Sequence, residues 1–293
     1  MAGPLHCPCQ GAWLAPLFVY TAPPAGETRF APPSAPYRRT VWRCRLCGHC
    51  VSQHAMDPAA LYAGAYVEAT YGDEGLRRAF ARIVSLPPAR SDNAGRVRRL
   101  LAFAAAHFGP AAPPPTLLDV GSGLGVFVHA MRAAGWRCTA LDPDPRAVRH
   151  ARDVVGVAAV CGDFLQVRDL GRFDVVTFNK VLEHVADPVA MLAKSACHLQ
   201  PGGFVYVEVP DADAARREGP EREEFFIEHL HVFSAASLAL LAQRAGFWVR
   251  QLARLHEPSG KYTLYAFLTP EAEQETAHAG CCQSPVEPVG PRQ

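Results

Sequence analysis

Three groups of residues in this chain could do chemistry. The first is a crowd of cysteines: Cys7, Cys9, Cys44, Cys47 and Cys50 all fall within the first 50 residues. Cys44-Arg45-Leu46-Cys47-Gly48 has knuckle spacing, two thiolates three apart with a glycine that lets the turn close. Its natural partner is Cys7-Pro8-Cys9, one residue tighter than a second knuckle. Cys7, Cys9, Cys44 and Cys47 are expected to form a closed, structural zinc site, with Cys50, His6 or His49 as substitutes for a ligand the tight pair cannot supply. A catalytic zinc would need an open position among three protein ligands, and no other motif supplies one.

The second group begins at Gly121-Ser122-Gly123-Leu124-Gly125, directly after the apolar run TLLDV. Glycines there permit a tight turn and close approach of a ligand, and free amides at the following helix start can meet a negative group. Alone this loop would equally suit a nicotinamide dinucleotide. Val126, however, stands where a dinucleotide fold wants its third glycine. Asp142, followed by Pro143, lies about 20 residues on, where a carboxylate can take both hydroxyls of an adenosine ribose. Asp163-Phe164 follows the next apolar run, where an acid can accept from an adenine amino group and an apolar neighbour can pack on the ring. The third group is made of histidines. Glu183-His184 follows a fourth apolar run, and Glu228-His229 sits inside FIEHLHVFS. Glu228 could orient His229 as a general base, or the histidines could simply pack a lid. Glu183-His184 could likewise serve only to brace the loop before Asp187-Pro188.

These residues need elements to position them. Strands are predicted at TLLDV (116–120), WRCTAL (136–141), VAAVC (157–161), FDVVTF (173–178) and FVYVEV (204–209), alternating with the helices LGVFVHAMRAA, PRAVRHARDVV, PVAMLAKSACHL and SAASLALLAQRA. Continuous apolar strands alternating with helices make a parallel sheet covered on both faces. Ligands of such sheets bind at the carboxyl ends of the strands, where all the acids named above fall. FWVRQLARL and KYTLYAFL predict a closing antiparallel hairpin. Ser91 or Asp92 can cap a helix over SDNAGRVRRLLAFAAAHF that Gly109-Pro110 ends. The charged stretch RREGPEREE (216–224) could be a mobile lid. Cys138, Cys161 and Cys197 read as small core residues. YRRTVWR (37–43) reads as a strand leading into the knuckle. The chain thus divides into a zinc-ribbon-like module (1–55), a helical linker or lid (56–111), a ligand-binding α/β domain (112–269) and a disordered tail (270–293).

The net charge of +1 over 293 residues gives no bulk attraction to nucleic acid or an anionic membrane. No apolar run is long enough for a membrane span, and MAGPLHCPCQ lacks the pattern of a secretory signal. The expected location is the cytoplasm, where cysteines stay reduced and a cluster of them favours metal over disulfides.

LLDVGSGLG, ALDPD, CGDF, FNKVLEHVADP and LQPGG together resemble the class I S-adenosylmethionine (SAM)-dependent methyltransferases, most nearly the sugar-modifying and ubiquinone-type small-molecule enzymes. The resemblance implies a Rossmann-like, seven-stranded, mostly parallel sheet with a C-terminal hairpin. It implies that Asp119, Gly121, Ser122, Gly123 and Gly125 meet the methionine end of SAM. Asp142 and Pro143 would meet the ribose, Asp163 and Phe164 the adenine, with Asn179 beneath the sulfonium. The segment around Glu228-His229 resembles the Glu-His element of deoxysugar C-methyltransferases, with Phe226 where they carry tyrosine. His184, Glu228 and His229 are therefore the candidate catalytic residues. The implied partner is a small-molecule acceptor methylated on oxygen or carbon. The cysteines resemble the zinc ribbon that precedes many such enzymes, together with a Tyr-rich segment like LYAGAYVEATY carrying Tyr66 and Tyr71. Alternatives are an RNA methyltransferase, against which the scattered Arg38-Arg39 and Arg98-Arg99 argue, and a non-catalytic SAM- and zinc-binding interaction protein.

Overall fold

A computed structural model describes residues 5–11, 13–27, 37–54, 73–109 and 113–271. Tyr66, Tyr71, the Tyr-rich segment and the tail after 271 lie outside the described residues.

The strands run in chain order as β1 (Leu14–Tyr20), β2 (Arg39–Cys44), β3 (Cys50–His54), β4 (Thr116–Val120), β5 (Arg137–Asp142), β6 (Ala158–Cys161), β7 (Phe173–Asn179), β8 (Leu199–Pro210), β9 (His231–Val232), β10 (Phe247–His256) and β11 (Tyr262–Pro270). Seven of them form one sheet in the order β10-β11-β8-β7-β4-β5-β6. β8, β7, β4, β5 and β6 are mutually parallel, and β10-β11 closes the edge as the expected antiparallel hairpin. This is the Rossmann-like sheet implied by the strand–helix alternation.

Burial on both faces follows from the period of two. Leu118, Val120, Val176 and Phe178 point to one core, while Leu117 and Val175 point to the other. The helices are α1 (Asp73–Val84), α2 (Asp92–Phe108), α3 (Val126–Ala133), α4 (Pro145–His150), α5 (Pro188–Ser195), α6 (Ala212–Ala215) and α7 (Ala235–Arg244). Their starts are written locally. Ser91 caps α2, Asp144 caps α4 and Asp187 caps α5, the latter two with proline in the first turn. Ser234 and Ser237 form a reciprocal capping box at α7. α3 begins only at Val126, because Gly125 adopts φ 68°, a left-handed conformation that still belongs to the turn.

The N-terminal region departs further from expectation. Beyond the one predicted strand it contains β1 and β3, and the resulting antiparallel sheet runs β1-β2-β3-β9. Its fourth strand, His231–Val232, belongs to the segment between β8 and α7. The cysteine region and the predicted histidine lid therefore share one sheet. Cys161 is exposed, not a core residue, since it ends the edge strand of the large sheet.

Candidate functional site

Register brings the acids together. Val120 pairs with Leu141 and with Phe178, Asp142 with Cys161, and Asn179 with Glu208. Asp119, Asp142, Asn179 and Glu208 therefore all stand at one edge of the sheet. β4 and β7 are the neighbours at which the strand order reverses, the topological switch point where such sheets take ligands.

Asp119 is buried at this point. Its Oδ1 accepts from Thr177 Oγ1 at 2.7 Å and from Asn179 Nδ2 at 2.8 Å. Burial raises its pKa to about 6, against the opposing pull of those donors. The same bond aims the Asn179 amide and leaves its Oδ1 buried with no hydrogen bond among the described residues. An orphaned acceptor of this kind marks a place where a donor is missing.

The glycine loop closes on β5: the Gly121 and Ser122 amides donate to the Leu141 carbonyl at 2.8 and 3.1 Å. Gly121 (φ 70°) lies so close to Val181 that a Cβ would come within 2.7 Å of its methyl, whereas a Cβ on Gly123 (φ 49°) would meet nothing within 4 Å. Gly121 is thus required by packing, and Gly123 opens onto space. Ser122 Oγ donates to the Asp119 carbonyl at 2.7 Å. Asp142 accepts the Gly123 amide at 2.8 Å and the Asp144 amide at 2.9 Å, one on each oxygen. Each oxygen keeps a further lone pair, enough for two hydroxyls. Pro143 is exposed and ends the strand, which lets the chain turn back so that Asp144 can donate. Asp163 is exposed and accepts the Leu165 amide at 2.9 Å. Phe164 corrects the expectation for an adenine-packing ring. It is 2% exposed and packs into the core against Phe178 and His198, because its side chain points under the loop that Asp163 presents outward.

These residues fit SAM. Among the described residues, an acceptor without a donor, an open glycine turn and a carboxylate with lone pairs to spare line one edge of the sheet.

Beyond Asn179 the histidines converge. His184 and His229 approach to 4.9 Å between ring centroids. His184 Nδ1 donates to the Glu228 carbonyl and His229 Nδ1 to the Glu224 carbonyl, both at 2.9 Å. A carbonyl can only accept, so each Nδ1 carries a proton, and in the neutral ring that arrangement leaves the lone pair on Nε2. Burial and then the neighbouring His184 hold the His229 pKa well below its ordinary value. The expected Glu228–His229 carboxylate pair is not formed. The turn closed by the His229 amide on the Phe226 carbonyl sends adjacent side chains apart, and Glu228 contributes its main chain instead.

Sequence reasoning missed a charged floor under this cluster. Glu208 accepts from Arg96 at 2.6 Å, Arg99 at 2.7 Å and Tyr206 at 2.5 Å. Burial opposes the Glu208 charge, but the Arg96 guanidinium outweighs it and holds the carboxyl down at about 2. Lys180, in a left-handed conformation, directs Nζ to Thr263 at 2.5 Å. The available signal was a glutamate inside the otherwise apolar run FVYVEVP.

The four predicted cysteines do meet. Their sulfurs all lie within 4.8 Å of one another, with Cys7–Cys9 at 2.9 Å and Cys9–Cys44 at 3.6 Å. A tetrahedron with metal–sulfur bonds of about 2.3 Å has edges of roughly 3.8 Å. The donor set therefore fits zinc with small adjustments, and the tight Cys7-Pro8-Cys9 spacing does not prevent convergence. Burial opposes the Cys44 thiolate, but the Cys47 and Leu46 amides outweigh it and bring the thiol to about 7. Cys50 bonds instead to the Gly48 carbonyl, and His49 lies between His231 and Ser237. Neither joins the cluster.

Comparison with known proteins agrees with this architecture. Residues 89–252, more than half of the chain, match the model of a methyltransferase domain. A ubiquinone biosynthesis O-methyltransferase of Xanthomonas campestris pv. campestris is 38% identical over 104 residues, covering 33% of this chain and 44% of that one. Its counterpart in Caulobacter vibrioides is 35% identical over 99 residues, covering 31% and 39%. The matched region spans less than half the length of these curated relatives. Among solved structures, the 1,6-didemethyltoxoflavin-N1-methyltransferase of Burkholderia thailandensis superposes with a TM-score of 0.54 at 21% identity, covering 84% of this chain and all of that one. That likeness is one of fold.

Proposed function

Because the chain belongs to the methyltransferase-domain family, we propose that it transfers a methyl group from SAM to an oxygen or carbon of a small-molecule acceptor, such as a sugar, phenol or quinone-like compound. The observation that carries this reading is the buried Asn179 Oδ1, without a donor among the described residues, on a side chain held by Asp119 at the switch point beside the open Gly123 turn.

SAM, when bound, supplies a sulfonium-activated methyl group that a nucleophile displaces in line, the electrons of the carbon–sulfur bond passing to sulfur. The protein's part is to bind, align and deprotonate. Asp119 and the Asn179 Oδ1 receive an ammonium group, and the Gly121–Gly125 turn lets the methionine end approach the main chain closely. Asp142 holds the ribose hydroxyls, and Asp163 accepts from the adenine amino group. His184 and His229 present Nε2 lone pairs on the far side of Asn179, where the acceptor's proton must go as its new bond to carbon forms. A half-buried His229, its pKa held low, is in the right form to take it.

Cys7, Cys9, Cys44 and Cys47 hold a structural zinc ion in this reading. A closed four-sulfur site would pin the turn after β2, and with it the β3 edge to which β9 is paired. Reduced thiols of this kind suit the cytoplasm. Among the described residues no helix is long and apolar enough to cross a membrane. Residues 1–55, 56–111 and 112–269 would act as zinc module, lid and SAM-binding domain.

Calorimetric titration with SAM, beside Asp142→Ala and Asn179→Ala, tests the proposal. Saturable binding weakened in both variants, followed by transfer of labelled methyl to a member of a sugar, phenol and quinol panel, is the expected result. Folded, zinc-loaded protein that does not bind SAM would overturn it.

A further inference from the structure

We infer that Glu183, His184 and His229 form a binding site for one divalent transition-metal cation, separate from the cysteine cluster and facing the acceptor side of the cofactor cradle. The three donor groups offer ligand atoms that all lie within 4.8 Å of one another.

Glu183 makes the strongest case. It is 1% exposed, and neither carboxylate oxygen has a hydrogen bond among the described residues. A buried carboxylate without partners costs several kcal/mol, so it takes up either a proton or a cation. The nearest ammonium does not serve: Lys180 donates to Thr263. The nearby guanidiniums are engaged elsewhere, since Arg96 and Arg99 both donate to the buried Glu208.

The histidines are prepared as ligands. Main-chain carbonyls fix both Nδ1 protons, which is the outer hydrogen bond that orients a metal-binding imidazole and selects its Nε2 lone pair. The ligands are also held against each other, since the His231 amide donates to the Glu183 carbonyl at 3.0 Å and ties the two loops together. Two imidazoles and one carboxylate leave open coordination positions and suit Mn(II), Fe(II), Co(II) or Zn(II). The role of the ion, though not the site itself, rests on the methyl-transfer reading. An acceptor hydroxyl bound to it would release its proton to water at a lower pH, leaving an oxygen anion aligned for attack. The ion would then replace general-base imidazoles as the means of deprotonation.

The probe is Mn²⁺ alone, added to zinc-loaded full-length protein and followed by the loss of the free-ion paramagnetic resonance signal. One Mn²⁺ per chain is expected, with affinity lowered roughly tenfold or more in Glu183→Gln and in His229→Gln and unchanged in the surface variant Glu74→Gln. Zinc content and melting temperature verify that the variants are folded, and His184→Gln substitutes for any that is not. Folded wild-type protein that binds neither Mn²⁺ nor Co²⁺ beyond the cysteine site overturns the inference, as does equal binding by wild type and folded variants. SAM calorimetry on the same samples separates the two ideas. SAM binding without the Mn²⁺ site removes only this one, and Mn²⁺ binding without SAM removes only the methyl-transfer reading.

Discussion

The two halves of the sheet's carboxyl edge are built differently. On the glycine-loop half, each acid is satisfied close by: Asp142 by Gly123 and Asp144, Asp163 by Leu165, Asp119 by its strand neighbours Thr177 and Asn179. On the histidine half, the side chains depend on the main chain of another loop or on no hydrogen bond at all. His184 is fixed by the Glu228 carbonyl, and Glu183 is buried with both oxygens unbonded among the described residues. The first half is pre-formed for a ligand of set shape. The second gathers polar groups whose partners must arrive with the acceptor or an ion. Binding and turnover should therefore fail separately when each half is damaged.

The largest effect is expected on the histidine side. His229→Gln should lower kcat by about 10²–10⁴ while SAM affinity, read by calorimetry, stays within a few-fold. A comparable loss of SAM affinity would break the division between the halves.

Acid should loosen the histidine half first. Burial brings the His231 pKa from 6.5 down to about 4, so the unfolded chain binds the extra proton between those values. Stability should hold above pH 6.5 and fall as pH drops toward 4, by up to about 3 kcal/mol from this group. Glu208 has the opposite ionisation but the same direction: its carboxyl is lowered from 4.5 to about 2, so its contribution is present above 4.5 and is lost as pH falls through 2. Thermal melts across pH, with His231→Gln flattening only the upper window, check both.

Asp142→Ala should weaken SAM binding by about 10–100-fold, the equivalent of losing charge-assisted hydrogen bonds worth about 1.5–3 kcal/mol. kcat at saturating SAM should change far less.

The smallest and sharpest contrast lies within the glycine loop. Gly121→Ala should cost about 1–3 kcal/mol of stability, since its Cβ meets Val181. Gly123→Ala should cost only about 1 kcal/mol for the left-handed conformation, yet weaken SAM binding. Melting and calorimetry on the pair would show which glycine serves the fold and which the ligand.

Legibility in the sequence follows the same division. Strand positions, Asp-Pro and Ser caps, and the loop acids are local signals, carried by period-two burial and by side chains that bond their own turn. They placed the parallel sheet and the glycine-loop half. Phe164 was misread because an apolar residue after an acid says nothing about which side of the loop it faces. Glu228-His229 was misread because adjacency in sequence does not make side chains face each other in a tight turn. β1 and β3 were missed because Pro16 interrupts the apolar run LAPLFVY and the five-residue CVSQH is too short and polar to show a periodicity.

By itself, the sequence determined the α/β architecture, the switch-point acids and which cysteines could gather, since each depends on spacing within one element or one turn. Only the tertiary structure decided that His184, His229 and Glu183 come within reach of one another, that Glu208 sits on a floor of arginines, and that β9 ties the cysteine region to the histidine loop. Those contacts join segments far apart in the chain, and strand register and the packing of buried charge, which no local pattern encodes, bring them together.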